Sequence, residues 1–412
     1  MNAFATSRLD NESDDISFNK NFVKTVEELE GLRTKIDVSK YLEWLGKRVG
    51  AAFTPLRKVP KEINPYSKNG IQILYKPEYL NPSGSGKDRP VSFMLFYYEK
   101  LGLLSGIKRI TTAGFGNFIK SFPTILPFIN PDIVPEAYIS NILLGENEDF
   151  VHHLATSGVA IHGCVDGRCP TSDSERGKAI ASAYVEEQVN PQTTRFFDQH
   201  GYLKPYDGLL NAAGYYFSLC PEILHQTEEI QNLYYVNGQG TRGSLVGAGV
   251  GIKKMRPESK IIGIRQEEGG HIFGLRSLRE LGKSESLGWA EELCNMVYEI
   301  SDKEAFVIMK NMWEIGIPAT PSGGSYIAGA LRWAKKLYEE HKEGAIITLV
   351  FDSLEYYESI LRVWTPRILG TSFESYCELF ETLKAQAFKE REKHVRRLKS
   401  GKNQLFNSML AS

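Results

Sequence analysis

At 412 residues the chain exceeds the usual size of one domain, and its 42% hydrophobic and 24% charged residues allow a sizeable core, so two packed units are expected. A formal net charge of −1 removes the electrostatic case for nucleic acid as the main partner. The five cysteines, Cys164, Cys169, Cys220, Cys294 and Cys377, are odd in number and scattered, unlike a secreted disulfide framework.

The chain opens on MNAFATSRLDNESDD, a polar, acidic stretch without the basic start and apolar centre of a signal or transit peptide. Residues 1–40 read as an N-terminal extension, mobile over its first part, where hydrophobic periodicity is absent. No apolar run approaches the roughly 20 residues that span a bilayer, so no membrane contact and a cytoplasmic location are expected. NFVKTVEELEGLRTKI and SKYLEWLGKRVG carry apolar residues at helical spacing. IQILYKPEYL reads as a buried strand, followed by the loop NPSGSGKDRP and a helix through VSFMLFYYEKLGLL. IKRITTAGFGNFIKSF gives strand, glycine turn and helix again. CVDGRC pairs Cys164 with Cys169, but no second pair or histidine cluster completes four ligands, so no metal site is read there.

LYYVNGQGTRGSLVGAGVGIKKM is a third strand, turn and helix; KIIGIRQEEGG adds a strand, and GAIITLVFDSLEYY supplies the last one. The basic segment ETLKAQAFKEREKHVRRLKSGKNQ reads as a solvated helix or a dimer contact. Strands alternating with helices, with glycine-rich loops at the strand ends, argue for an α/β fold with an open, mainly parallel sheet flanked by helices. Ligands collect at the carboxyl ends of such strands.

The loop at residues 81–90 is not an NTPase phosphate loop. Asn81 stands where that pattern needs glycine, and Asp88 follows Lys87 where it needs a magnesium-binding hydroxyl. Most lysines in turns are solvated surface groups. Lys87, however, lies between an apolar strand and an apolar helix, where burial can depress its pKa and allow a Schiff base.

Asn81, Pro82, Ser85, Lys87, Asp88 and Arg89 form a segment that resembles the cofactor-lysine segment of the cysteine synthase and tryptophan synthase β-subunit family. These are the fold-type II enzymes dependent on pyridoxal phosphate. FTPLRKV, GTRGSLVGAG, EIGIPATPSGGSYIAGAL and VFDSLEYY resemble further family segments in the family's order, from about residue 49 to about 360. The resemblance implies two open, mainly parallel sheets. It assigns 41–84 and 198–360 to a large cofactor-binding domain, 85–197 to a small substrate-closing domain, and 361–412 to a helical tail. By the same resemblance Lys87 is the lysine that binds the cofactor and the base that takes the substrate Cα proton.

Gly240, Thr241, Arg242, Gly243 and Ser244 match the phosphate cup, with backbone N–H groups and hydroxyls converging at a helix N-terminus. Arg242 stands where the family has glycine; it reinforces the cup, reaches a second anion, or points to solvent. Ser353 matches the residue facing the pyridine nitrogen, and in an extended segment the side chain of Asp352 then points elsewhere. Thr112, Ala113 and Gly114 offer backbone N–H groups to the substrate carboxylate. Phe115 occupies the family's asparagine position, leaving Asn117 as the candidate to replace it at the cofactor. Gln199 is nearest to the family's substrate glutamine, while His200 and Tyr206 in the same loop read as structural.

The activity implied is β-elimination or β-replacement on a small L-amino acid of the activated serine or cysteine type, through an aminoacrylate, with a small nucleophile as second substrate. A homodimer is implied as well. Two alternatives stay open: a non-catalytic or regulatory member of the fold, and a threonine synthase-like or dehydratase-like lyase.

Overall fold

The computed structural model describes residues 20–114, 116–139, 148–163, 175–281 and 286–411. The amino-terminal 19 residues, Phe115, and the Cys164 and Cys169 pair lie outside the described residues. Ten strands divide into two sheets. The larger has the order β1-β2-β10-β7-β8-β9, built from β1 (Arg57–Lys58), β2 (Ile71–Pro77), β7 (Leu233–Gly238), β8 (Lys260–Gln266), β9 (Met296–Ile300) and β10 (Gly344–Val350). Only the short edge strand β1 runs antiparallel. The smaller sheet, order β5-β4-β3-β6, is parallel throughout and uses β3 (Arg109–Ala113), β4 (Val134–Ile139), β5 (Ala160–Gly163) and β6 (Thr194–Phe197).

Helices α1 (Lys20–Gly31) and α2 (Val38–Glu43) precede the sheets. Then come α3 (Asp88–Lys100), α4 (Asn117–Ile125), α5 (Glu148–Thr156), α6 (Glu175–Val189), α7 (Pro205–Phe217), α8 (Leu219–Gln226) and α9 (Gly243–Met255). Short α10 (Leu278–Leu281), α11 (Asp302–Glu314), α12 (Pro321–Glu339), α13 (Glu358–Leu369), α14 (Cys377–Lys399) and α15 (Gln404–Ala411) complete the set. Among the described residues no helix is long and apolar enough to cross a membrane.

Helices α3, α7 and α9 stack in that order, and each joint includes a point where backbone meets backbone. A Cβ placed on Gly214 of α7 would lie 2.5 Å from Pro90 Cα of α3, and one on Gly247 of α9 would lie 2.1 Å from the Ala212 carbonyl of α7. Glycine is required at both contacts because the backbones themselves touch.

The expected strand IQILYKPEYL ends at Pro77, and Glu78–Leu80 turns into a 3₁₀ helix. The cause is a buried ion cluster. Arg89 donates to Glu78 at 2.7 and 2.9 Å and to Glu222 at 2.7 and 2.9 Å, while Lys76 donates to Glu222 at 2.6 Å. Thr54 Oγ1 donates to Glu78, and Asn81 Oδ1 accepts from the Ala52 N–H. The motif residues of FTPLRKV and NPSGSGKDRP are thus bonded to each other beneath the Lys87 loop.

The C-terminal segment differs from expectation. Phe380, Leu383, Ala387, Arg391, His394 and Leu398 are buried on one face of α14, at the three- and four-residue spacing of a packed helix. Arg391 forms a bidentate pair with Glu355 at 2.6 and 2.7 Å, and the His394 ring meets the Ala52 carbonyl at 2.9 Å.

Candidate active site

The Lys87 loop runs beside the end of β10. Gly86 donates its N–H to the Phe351 carbonyl, Ser353 donates its N–H to Gly84, and Ser85 bridges Asp352. Lys87 caps the start of α3, half-buried, with its amine 5.5 Å from the centre of the Phe351 ring. Burial pushes that amine down to about 8, against the pull of the Asp352 carboxylate and with added repulsion from Arg276. An amine in this range is neutral often enough near neutral pH to act as nucleophile or base.

Asp352 and Ser353 point to different sides, and it is Asp352 that turns to Ser85. Asp352 Oδ1 accepts from Ser85 Oγ at 2.5 Å and Oδ2 accepts from Tyr357 Oη at 3.1 Å, with the residue 6% exposed. Ser353 Oγ instead donates to Glu355 at 3.2 Å, and a methyl group on Gly84 would strike both that hydroxyl and Arg391. The physical reason is strand parity: neighbours in an extended segment point to opposite sides, and the bridge to Ser85 fixes which side Asp352 takes.

The glycine turn after β7 behaves as a helix N-terminus should. Arg242 adopts a left-handed φ of 63° before α9, and the first helical bond joins the Val246 N–H to the Arg242 carbonyl. The N–H groups of Gly243, Ser244 and Leu245 precede that bond, beside Gly240 and Thr241, where an anion is favoured. Thr241 Oγ1 accepts from Asn211 Nδ2 at 3.0 Å, and the same nitrogen reaches the Gln199 carbonyl at 2.9 Å. Arg242 is only 3% exposed, and its guanidinium runs to Gln239 and the Leu281 carbonyl, so the solvent-facing alternative does not hold.

The loop expected to meet a substrate carboxylate also departs from expectation. Thr112 and Ala113 lie inside β3, with Thr112 aligned against Ala137 on one side and Phe197 on the other, and the Gly114 N–H donates to Tyr138. These three residues are therefore engaged in or beside the parallel ladder, and the Gly114 N–H is not a free donor for a carboxylate. The buried Thr112 Oγ1 has no hydrogen-bond partner among the described residues. Gln199 comes to the same place: a methyl group on Gly114 would sit 3.5 Å from its Nε2. Asn117 opens α4 and donates to Tyr357 Oη at 3.4 Å, which links it to Asp352. Tyr206 is 40% exposed and joins Tyr97 and Lys35, while His200 Nδ1 meets Arg276 Nη2 at 2.6 Å.

Lys120, Asn211 and Arg276 were not singled out by sequence reasoning. Lys120 is 1% exposed, its amine lies 4.6 Å from the Tyr356 ring centre, and it has no hydrogen-bond partner among the described residues. Burial pushes it down to about 8, with Asp352 and Glu355 opposing. The available signal was a polar residue inside an apolar helix, as in NFIKSF for Lys120 and GLLNAAGYYF for Asn211. Arg276 lies in the irregular stretch HIFGLRSLRE, where no periodicity marks it.

A family model described as "Pyridoxal-phosphate dependent enzyme" matches residues 146–352. The cysteine synthase of Aquifex aeolicus is 24% identical over 306 residues, covering 74% of this chain and 88% of that protein. Cysteine synthase B of Escherichia coli is 25% identical over 319 residues, covering 74% and 92%. Among solved structures, an O-acetylserine-dependent cystathionine β-synthase from Helicobacter pylori superposes with a TM-score of 0.62 at 20% identity, covering 77% of this chain and 96% of that one. A hydrogen sulfide-producing enzyme from Fusobacterium nucleatum gives 0.60, also at 20% identity, covering 76% and 95%.

Proposed function

The chain belongs to the family of pyridoxal-phosphate-dependent enzymes, and from that premise we propose that it carries out β-elimination or β-replacement on a small L-amino acid of the activated serine or cysteine type. One arrangement carries the reading: Ser85 ties the start of the Lys87 turn to the Asp352 carboxylate, and burial there pushes the Lys87 amine down to about 8. The fit of the cofactor to the site is supported by groups otherwise short of partners. The N–H groups at the start of α9 are suited to its phosphate, and Asn211 Oδ1 and Thr112 Oγ1 are buried polar atoms without hydrogen bonds among the described residues. When bound, pyridoxal phosphate supplies a sink for the electron pair left at the substrate Cα.

In this reading Lys87 would hold the cofactor through Nζ, and the same Nζ would take the Cα proton of the substrate. Gly240, Thr241, Gly243 and Ser244 hold the phosphate, and Arg242 braces their turn through Gln239. Gln199 and Thr112 orient the substrate, with Asn211 fixing the Gln199 backbone relative to the phosphate turn. Residues 85–197 act as the unit that closes over the substrate and excludes water. The relatives' names, cysteine synthase and O-acetylserine-dependent cystathionine β-synthase, favour an O-acylated serine as donor and a small thiol or sulfide as nucleophile. A homodimer in the cytoplasm is part of the same reading.

Borohydride reduction followed by peptide mass mapping tests it directly. The cofactor mass is expected on the peptide containing Lys87, and Lys87→Ala is expected to abolish turnover of O-acetylserine, O-phosphoserine or cysteine. Label on another lysine, or turnover that survives Lys87→Ala, overturns the assignment.

A further inference from the structure

We propose that Asp352, not Ser353, is the partner of the cofactor's ring nitrogen, so that a carboxylate holds this nitrogen protonated where the family resemblance leads one to expect a neutral hydroxyl. The proposal rests on the pyridoxal phosphate reading of the site and adds the electronic state in which the cofactor is held.

The first argument is direction. Ser85 and Asp352 face each other across an isolated bridge, and Ser85 Oγ also accepts the N–H of Lys87 at 3.1 Å. The carboxylate and the amine therefore flank one junction between the lysine loop and β10. Ser353 faces the opposite side, among Gly84, Glu355 and Arg391 of the C-terminal helix.

The second argument is hydrogen-bond capacity. An ionised carboxylate only accepts, and each oxygen offers about two lone-pair directions. Ser85 takes one on Oδ1 and Tyr357 takes one on Oδ2, which fixes the group and leaves acceptor capacity for an N–H⁺. Tyr357 is steadied in turn by Asn117, so the carboxylate rests on two elements of the small-sheet unit and the β10 end together. A ring N–H⁺ against a buried carboxylate also neutralises charge that would otherwise be costly to bury.

The third argument is proton affinity. Burial pushes the Asp352 carboxyl up from the ordinary aspartate range, although Lys120, Ser85, Lys87 and Tyr357 all pull it down. A carboxyl raised in this way is a stronger proton acceptor than an exposed one, which favours a charge-assisted hydrogen bond to a ring N–H⁺. The consequence for chemistry is a stronger pull on the electrons at the substrate Cα. Lys87 would then remove the Cα proton more readily.

The test uses holoenzyme loaded with pyridoxal phosphate carrying ¹⁵N in the ring, read by NMR at neutral pH. Wild type is expected to show a protonated ring nitrogen. Asp352→Asn is expected to move the resonance to the unprotonated position while borohydride still traps the cofactor on Lys87, and Ser353→Ala is expected to leave the resonance unchanged. An unprotonated nitrogen in wild type, or a protonated one in Asp352→Asn, overturns the proposal; the wild-type spectrum alone decides should the variant not fold. A wild-type protein that traps no cofactor on Lys87 overturns the proposed function and, with it, this inference. That failure is recognised by the trapping result, which does not depend on residue 352.

Discussion

Lys120 sits in an environment that favours its neutral form, because no hydrogen bond compensates the water it gives up. Its amine is pushed from 10.5 down to about 8, so between these values the unfolded chain binds more protons than the folded one. Stability therefore falls as pH drops from about 10.5 to about 8 and is flat below that. The penalty at neutral pH is of order 3 kcal/mol at most. Lys120→Met in the cofactor-free protein is expected to recover about 1–3 kcal/mol at pH 7 and to lose that slope. Urea melts of both proteins at pH 7 and pH 10 check this; parallel curves would mean that the amine is charged and compensated after all. The same scale shows where sequence reading stopped. The dipeptide Asp352-Ser353 was recognised as the relevant place, yet which of the two faces Lys87 depends on the bridge to Ser85, 267 residues away in sequence. Parity along a strand is legible in a sequence; the register that sets its sense is not.

Among the elements, those with long apolar runs were readable. β2, β7, β8 and β10 are six or seven residues each, and the glycine turns that follow β3 and β7 were visible as such. β5 and β6 have four residues each, and β4 contains a proline, so neither length nor alternation separates them from loops. α14 reads from sequence as a solvated helix or a dimer contact because its charges dominate its composition, although its apolar residues keep helical spacing. The 3₁₀ turn after β2 could not be read locally, since it exists to bring Glu78 to Arg89. Arg89 is fully buried with Glu78 and Glu222 on either side. Removing its charge alone, in Arg89→Met, is expected to cost about 3–5 kcal/mol, because two buried carboxylates lose their counter-ion and only Lys76 remains beside Glu222. Chemical denaturation measures it; a loss under about 1 kcal/mol would mean that the cluster carries little net stabilisation.

At the scale of the whole molecule, the helices that carry the proposed ligand groups, α3 and α9, both pack on α7. The C-terminal helix braces the outer side of the Lys87 loop through Arg391 and Glu355, and through His394 at Ala52. A mainly parallel α/β arrangement was legible from alternating strands and helices and its division into two sheets from the family resemblance, whereas this brace was not, because it joins segments that carry no shared motif.

The stack of α3, α7 and α9 has a geometric consequence. Lys87 stands at the tip of α3 and the N–H groups proposed to bind the phosphate stand at the tip of α9, with backbone contact at both joints between them. The span from amine to cup is thus a rigid gauge that side-chain repacking cannot adjust. One methyl group at a joint, as in Gly247→Ala, must widen the gauge. Such a protein should still take inorganic phosphate, which needs only the cup. It should bind pyridoxal phosphate at least tenfold more weakly (about 1.4 kcal/mol), since that molecule must reach both ends at once, and calorimetry with each compound would separate the two.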